Sequence, residues 1–182
     1  MKADSELIDL IYTASVQAFA DWRKANPSER VFAFALSTID DAIYVNASLN
    51  SDESHQRRLT ERGIDASSAY GLDTKWGPWE WENEYTGQTH FSPVDERLKQ
   101  MYEKYSAEDN FATFRATVFD SMVEALLRLK NNGVISNDGD TSGITMFATV
   151  YDSFDAEALH RRSAELLNSP EASKELLAAI GG

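Results

Sequence analysis

An α+β fold is predicted for this chain: a small, mainly antiparallel sheet of at least three strands covered by helices, in a single domain over residues 1–182. Three observations carry this expectation. Helical spacing of apolar residues recurs along most of the chain, three segments have strand patterning, and no internal repeat or low-complexity linker interrupts them.

Residues 4–24 place Ile8, Ile11, Tyr12, Phe19 and Trp22 at three- and four-residue intervals, the stripe of one buried helix face. Pro27 disfavours helical geometry at Asn26 and ends this helix. In "VFAFALST", Phe32, Phe34 and Leu36 alternate with Val31, Ala33 and Ala35. Both sets are apolar, which predicts a strand covered on both faces and central in its sheet. After the turn "IDD", the segment "AIYVNASL" alternates Ile43, Val45, Ala47 and Leu49 against Tyr44, Asn46 and Ser48. A hairpin is the economical joining.

Residues 52–63 read as a polar helix ended by Gly63, and residues 64–74 as loop. Ser92 as N-cap, Pro93 at the first position and Asp95 at the third start a helix with Leu98, Met101, Tyr102 and Tyr105 on its apolar face. The longest helix is expected over residues 107–131, with Ser106 as cap and Gly133 after its end. Its stripe, Phe111, Phe114, Val118, Met122, Leu126 and Leu129, fits a helix laid across the sheet. The loop "SNDGDTSG" leads to the strand "ITMFATVY" and a helix in "SFDAEALHRRSAELLN". Ser169 and Pro170 open a short final helix through Ile180.

With 182 residues and 42% hydrophobic content, the chain suffices for one domain that buries roughly 70% of its unfolded surface. No run of about 18 apolar residues exists, and "MKADSELIDL" meets acids where a signal peptide is apolar, so a soluble, cytoplasmic protein is expected. The absence of cysteine excludes disulfides and thiolate metal sites. Thirty acids against seventeen bases give a formal charge of −13 spread over both halves of the chain. Such a field repels phosphate backbones and anionic membranes, so neither nucleic acid nor membrane is an expected partner. An evenly acidic surface serves solubility, or it steers a basic protein partner.

Local catalytic motifs are missing. His55, His90 and His160 are too far apart for a helical metal motif, so no metal or cofactor is expected. His160 reads as an exposed or edge residue of its helix, and His90 as flanking the cap at Ser92. "DGDTSG" begins like a calcium loop, but position twelve is Thr149, inside the predicted strand, and a flexible turn is the better reading. There is no G-x-S-x-G elbow and no glycine-rich phosphate loop. Asp40 and Asp41 read as a solvated pair at a hairpin tip.

The loudest stretch is "DTKWGPWEWENEY", residues 73–85, with three of the four tryptophans. Its candidate partner-binding residues are Trp76, Trp79, Glu80, Trp81, Glu82, Glu84 and Tyr85. As a strand, Trp79, Trp81 and Tyr85 would share one face and Glu80, Glu82 and Glu84 the other. A helical turn starting at Gly77 with Pro78 first is favoured, because proline removes a ladder hydrogen bond. The tryptophans either cap the sheet edge beneath the glutamates or form an interface whose acids draw a basic partner such as a toxin domain. A carbohydrate-stacking cleft with Glu80, Glu82 or Asp73 as acid and base is the enzymatic alternative, a hydrolase of sugars or other small substrates. A structural or oligomeric accessory protein without ligand is the third.

"FAFALSTIDD", "KWGPWEWENEY", "FRATVFDSMVEALLRLKNNGV" and "ITMFATVYDS", in this order, resemble domain-of-unknown-function family 4303, an uncharacterised bacterial family, over residues 4–168. The likeness lies in pattern and aromatic placement, not in a catalytic signature. Association of that family with contact-dependent and polymorphic toxin loci implies an immunity or interaction role. Gly77 stands where the family pattern "W-S-P-x-E-W" has serine, a change expected to weaken a helix cap by a few tenths of a kcal/mol.

Overall fold

The computed structural model describes residues 3–107 and 110–180. Among the described residues four strands, β1 (Val31–Ile39), β2 (Asn46–Ser51), β3 (Asn83–Thr86) and β4 (Thr145–Tyr151), lie in the order β3-β2-β1-β4. β1 pairs antiparallel with β2, β2 antiparallel with β3, and β1 parallel with β4. The fold is α+β, and its mainly antiparallel sheet includes one parallel ladder. β1 is internal, as its two apolar faces require.

Strand alternation sends Phe34, Leu36, Ala47, Leu49, Met146, Ala148 and Val150 to one face. They are buried with apolar residues of α1 (Ser5–Ala25), α4 (Ser92–Ala107) and α5 (Phe111–Asn131). Each large side chain removed from water there contributes roughly 1.5–3 kcal/mol. The opposite face carries Ala33, Ala35 and Phe147, packed with Trp76, Trp81, Ala164 of α6 (Ala156–Leu167) and Leu176 of α7 (Pro170–Ile180). Ser37, Asn46, Ser48, Asn50, Thr145 and Thr149 share that second face and are also buried.

β4 is an edge strand, and side chains from the α6 region occupy its free backbone groups. Met146 N–H donates to Asn168 Oδ1 at 2.7 Å, and Asn168 Nδ2 donates to Met146 O at 2.8 Å. Ala148 N–H donates to Ser163 Oγ at 3.0 Å. The edge is therefore closed to a further strand.

Several expected boundaries shift. The 64–74 loop contains the start of a helix, α3 (Ala69–Trp76), capped by Ser68, whose hydroxyl accepts from Gly71 N–H. Too short for an apolar stripe, this helix is held by burial of Thr74 and Trp76. β2 begins at Asn46 because Ala42 adopts φ 53° and lifts residues 42–45 from the ladder, leaving Ile43 exposed. Ser92 is already helical (φ −53°, ψ −39°), because a 3-10 turn over Gln88–Phe91 runs directly into α4. Its hydroxyl donates back to Thr89 O rather than capping forward. α4 includes Ser106, and α5 starts at Phe111 with Asn110 in the cap position. Tyr102 is exposed, laid edge-on against Phe111 and Phe114, and Phe91 and Val94 fill the core instead. The helix α2 (Asp52–Arg62) ends where expected, at Gly63 in the left-handed conformation.

Candidate functional site

The tryptophan-rich segment adopts both expected geometries in succession. Pro78–Glu80 form one 3-10 turn with Gly77 at the cap position, and Asn83–Thr86 form β3. Trp76 and Trp81 are buried, 3% and 4% exposed, edge-on to Phe32 and Phe147 at ring separations of 5.8 and 6.0 Å. The Trp81 indole N–H donates to Lys75 O at 3.1 Å. Trp79 lies 46% exposed with its ring edge-on to Tyr151 at 6.0 Å. A Cβ at Gly77 would stand 2.7 Å from that indole and 2.9 Å from Asp73 O, so glycine lets the ring lie against the backbone. The serine of the family pattern is thus disfavoured here by contact, a larger matter than the expected loss of a cap.

The glutamates also divide. Glu80 pairs with Arg58 at 3.2 Å and Arg62 at 3.1 Å, and accepts from Tyr70. Glu82 pairs at 3.0 Å with Arg57, which also holds Glu29. These carboxylates engage different arginines of α2 and do not form an acid and base pair. Glu84 pairs with no cation among the described residues. Opposite Ser48, two residues of β3, Glu84 and Tyr85, stand between the Ala47–Thr86 and Leu49–Asn83 pairings, a bulge in which Tyr85 takes φ 55°. Bulges re-aim side chains at sheet edges and functional sites.

Trp79 and Tyr85 lead to the end of the sheet where β1 and β4 terminate side by side, with Ile39 opposite Tyr151. Arg115 of α5 locks the loops that follow. Its Nη2 donates to Asp40 Oδ1 at 2.6 Å, Ser153 Oγ at 2.9 Å and Asp155 Oδ2 at 2.8 Å. Asp40 is therefore a turn residue, as expected, and also an ion-pair partner. Ala42, Tyr85 and Asp152 are three of the four described non-glycine residues with positive φ, and all three belong to this end. Each such conformation costs of order 1 kcal/mol.

Beneath the loops the sheet is polar. Ser48 Oγ accepts from Tyr85 N–H at 3.3 Å, and Thr149 Oγ1 lies 2.6 Å from His160 Nε2. The hydroxyls of Ser37 and Tyr151 are buried next to each other and make no hydrogen bond of normal length among the described residues. Burial pushes the Tyr151 phenol up, with Glu84, Tyr85 and Tyr44 adding and the Ser37 hydroxyl opposing. Burial and the adjacent Glu84 carboxylate push Tyr85 up to about 12. Tyr44 is raised by burial, with Glu84 and Asp152 adding, while Tyr85 opposes. All three phenols therefore keep their protons at ordinary pH and form one cluster with the two carboxylates.

His160 corrects the sequence expectation. It is buried against Phe147 rather than exposed, and burial pushes it down to about 4, so it is a neutral imidazole. Its neighbours Arg161 and Arg162 suggest a solvated surface, but His160 falls on the side of α6 that buries Leu159, Ser163 and Ala164. His90 bonds Asp21 at 2.8 Å.

The loop end exposes Ile43, Trp79, Tyr85 and Phe154, the last fully. Asp41, Glu84 and Asp152 stand among them, with no ion-pair partner among the described residues. Tyr44, Tyr151, Ile43 and Phe154 were not among the residues singled out from sequence. Two separate segments supply them, and only the phenylalanine in the polar run "DSFDAE" is conspicuous in one dimension.

Among the described residues no three histidine, aspartate or glutamate side chains gather as a metal ion would require. No described helix is long and apolar enough to cross a membrane. The chain belongs to the family described as Domain of unknown function (DUF4303), which matches residues 11–169. No curated protein and no solved structure matches it.

Proposed function

We propose that this DUF4303 chain is a cytoplasmic protein-binding module that recognises a basic partner through the loop end of its sheet. Its sharpest form is a bacterial immunity protein that covers the basic active surface of a toxin. The single observation that carries this is Phe154, fully exposed on a loop pinned by Arg115, at the end of the sheet that also exposes Trp79 and Tyr85 and carries Asp41, Glu84 and Asp152 without ion-pair partners among the described residues. Exposed apolar groups rimmed by charge mark interaction surfaces, and aromatic residues dominate binding energy at such surfaces. A charge of −13 adds steering toward a basic protein. Of the segment read from sequence, Trp79, Glu84 and Tyr85 face the partner in this scheme. Buried Trp76 and Trp81, with Glu80 and Glu82 tied to α2, hold them in place.

Isolation of the complex from the native strain tests the proposal. One basic partner is expected, bound with an association rate that falls steeply with salt and lost in Phe154→Ser. Salt-independent association, or binding indifferent to Phe154, contradicts it. A neighbouring gene for a large secreted protein with a variable C-terminal domain would support the immunity form, and a metabolic operon would remove it.

A further inference from the structure

We infer that the cleft at the start of β4 binds a small zwitterion with an apolar body, an amino acid or a dipeptide. Thr145 and Lys130 take its carboxylate, Asp52 or Glu171 its ammonium, and Trp76 and Leu167 its side chain. The cleft lies at the other end of β1 and β4 from the proposed partner surface, where Ala33 is opposite Thr145, and does not depend on that surface.

The cleft encloses about 500 Å³, within the roughly 300–1,000 Å³ typical of small-molecule sites. Its walls converge from distant parts of the chain: Phe32 of β1, Trp76 of α3, Lys130 of α5, Leu167 of α6 and Glu171 of α7. A recess of about 50 Å³, sharing Lys130, Ile144 and Leu167 with the cleft, continues to Met146. Two side chains in the cleft wall are more than nine-tenths buried and unpartnered. Thr145 is 5% exposed, and its hydroxyl makes no hydrogen bond among the described residues. Trp76 is 3% exposed, and its indole N–H has no partner either. Strand alternation puts Thr145 on the same sheet face as Phe147, against which the tryptophan segment packs. An unpaired buried hydroxyl is costly, and this one stands in the wall of an open cleft, where a ligand reaches it.

Charge selects the ligand. Lys75 is already held by Glu175 at 2.7 Å, with its Nζ 4.9 Å from the Trp76 ring centre. Lys130, Asp52 and Glu171 line the same cleft but form no ion pair among the described residues, so the cleft keeps opposite charges apart. A ligand of one sign satisfies one wall and is opposed by the other. Three acids against two lysines also turn away a polyanion such as a nucleotide. A zwitterion answers both walls: its carboxylate accepts from the Thr145 hydroxyl and the Lys130 ammonium, and its own ammonium donates to Asp52 or Glu171. Exposure sets its orientation, because Thr145 is buried whereas Lys130, Asp52 and Glu171 are exposed. The carboxylate therefore enters first, and the ammonium stays at the rim. Phe32, Trp76, Ile144 and Leu167 supply apolar lining for the body of the ligand.

The test is a nuclear magnetic resonance titration of the full chain with leucine and with leucyl-leucine, using N-acetyl-leucine and leucine amide as comparison probes that each keep one charge. At least one zwitterion is expected to give saturable shifts of the Trp76 indole and the Thr145 amide below about 10 mM. The ratio of the two affinities tells an amino-acid site from a dipeptide site. Each single-charge probe should bind at least about tenfold more weakly than the better zwitterion. Lys130→Gln, at an exposed position, should weaken the zwitterion about tenfold. Thr145→Val should weaken it similarly, and thermal melting confirms that each variant is folded. If Thr145→Val does not fold, Lys130→Gln alone decides. Absence of saturable shifts with either zwitterion, equal or tighter binding of a single-charge probe, shifts that spare Trp76 and Thr145, or indifference to Lys130→Gln overturns the site.

Discussion

Toward α1, α4 and α5 the sheet presents Phe34, Leu36, Ala47, Leu49, Met146, Ala148 and Val150, while alternate residues of the same strands present Ser37, Asn46, Ser48, Asn50, Thr145 and Thr149 toward α6 and the tryptophan segment. The first face is held mainly by apolar area, with Thr38 at its end satisfied by donating to Tyr44 O. On the second, buried polar groups must find partners, because leaving them unpaired is costly. Half of these do: Asn50 Nδ2 donates to Thr74 O at 3.1 Å, Ser48 accepts from Tyr85 N–H, and Thr149 meets His160. Toward the loop end the partners run out, at Ser37 and Tyr151, where backbone strain and exposed aromatic residues also concentrate. Local departures from what folding alone favours are the mark of a functional region.

The largest break in this comparison comes from the apolar face. Phe34→Ala should cost about 4 kcal/mol in urea unfolding, since Phe34 is fully buried among closely packed side chains. On the polar face, acid should cost roughly 3 kcal/mol through His160. Its folded value of about 4 lies below the unfolded value of about 6.5, so between those pH values the unfolded chain binds the proton and the folded chain does not. Stability is fully present above about pH 6.5, declines as pH falls toward 4, and then levels off for this group. In His160→Gln, unfolding measured at pH 7 and pH 4.5 should show less acid loss than in the parent. Asn168→Ala, which strips two hydrogen bonds from the β4 edge, should cost about 2 kcal/mol and speed amide exchange at Ala148 and its neighbours. Ser37→Ala should change stability by no more than about 0.5 kcal/mol, or raise it, because its hydroxyl has no partner to lose. A loss of 2 kcal/mol there would show that the hydroxyl is satisfied in the fold.

The fold was legible where one dimension carries the signal. The two-sided apolar pattern of "VFAFALST" identified the internal strand, Gly63 the end of α2, and the stripe from Phe114 to Leu129 the core face of α5. α3 escaped because eight residues with a single tryptophan at the end show no stripe. Helix α4 and helix α5 meet near Ser106 without a proline or glycine, so their junction was misplaced by several residues. The candidate site was half legible. Residues 73–85 announced themselves by composition, yet which tryptophans face inward depends on Phe32 and Phe147, far away in sequence. The rest of the site is assembled by Arg115, which joins Asp40 to Asp155 across the end of the sheet, a contact no local pattern foretells.

The division of labour between the two faces is tested most directly by the double variant Trp79→Ser, Phe154→Ser, with folding stability and partner binding measured side by side. Both side chains reach solvent, Phe154 entirely, so unfolding free energy should change by no more than about 1 kcal/mol. Affinity for the proposed basic partner should fall at least a hundredfold, ~2.7 kcal/mol, as loss of two aromatic anchors requires. Unchanged affinity, or a collapse of stability that accompanies the loss of binding, would contradict a binding surface built at the loop end and independent of the core.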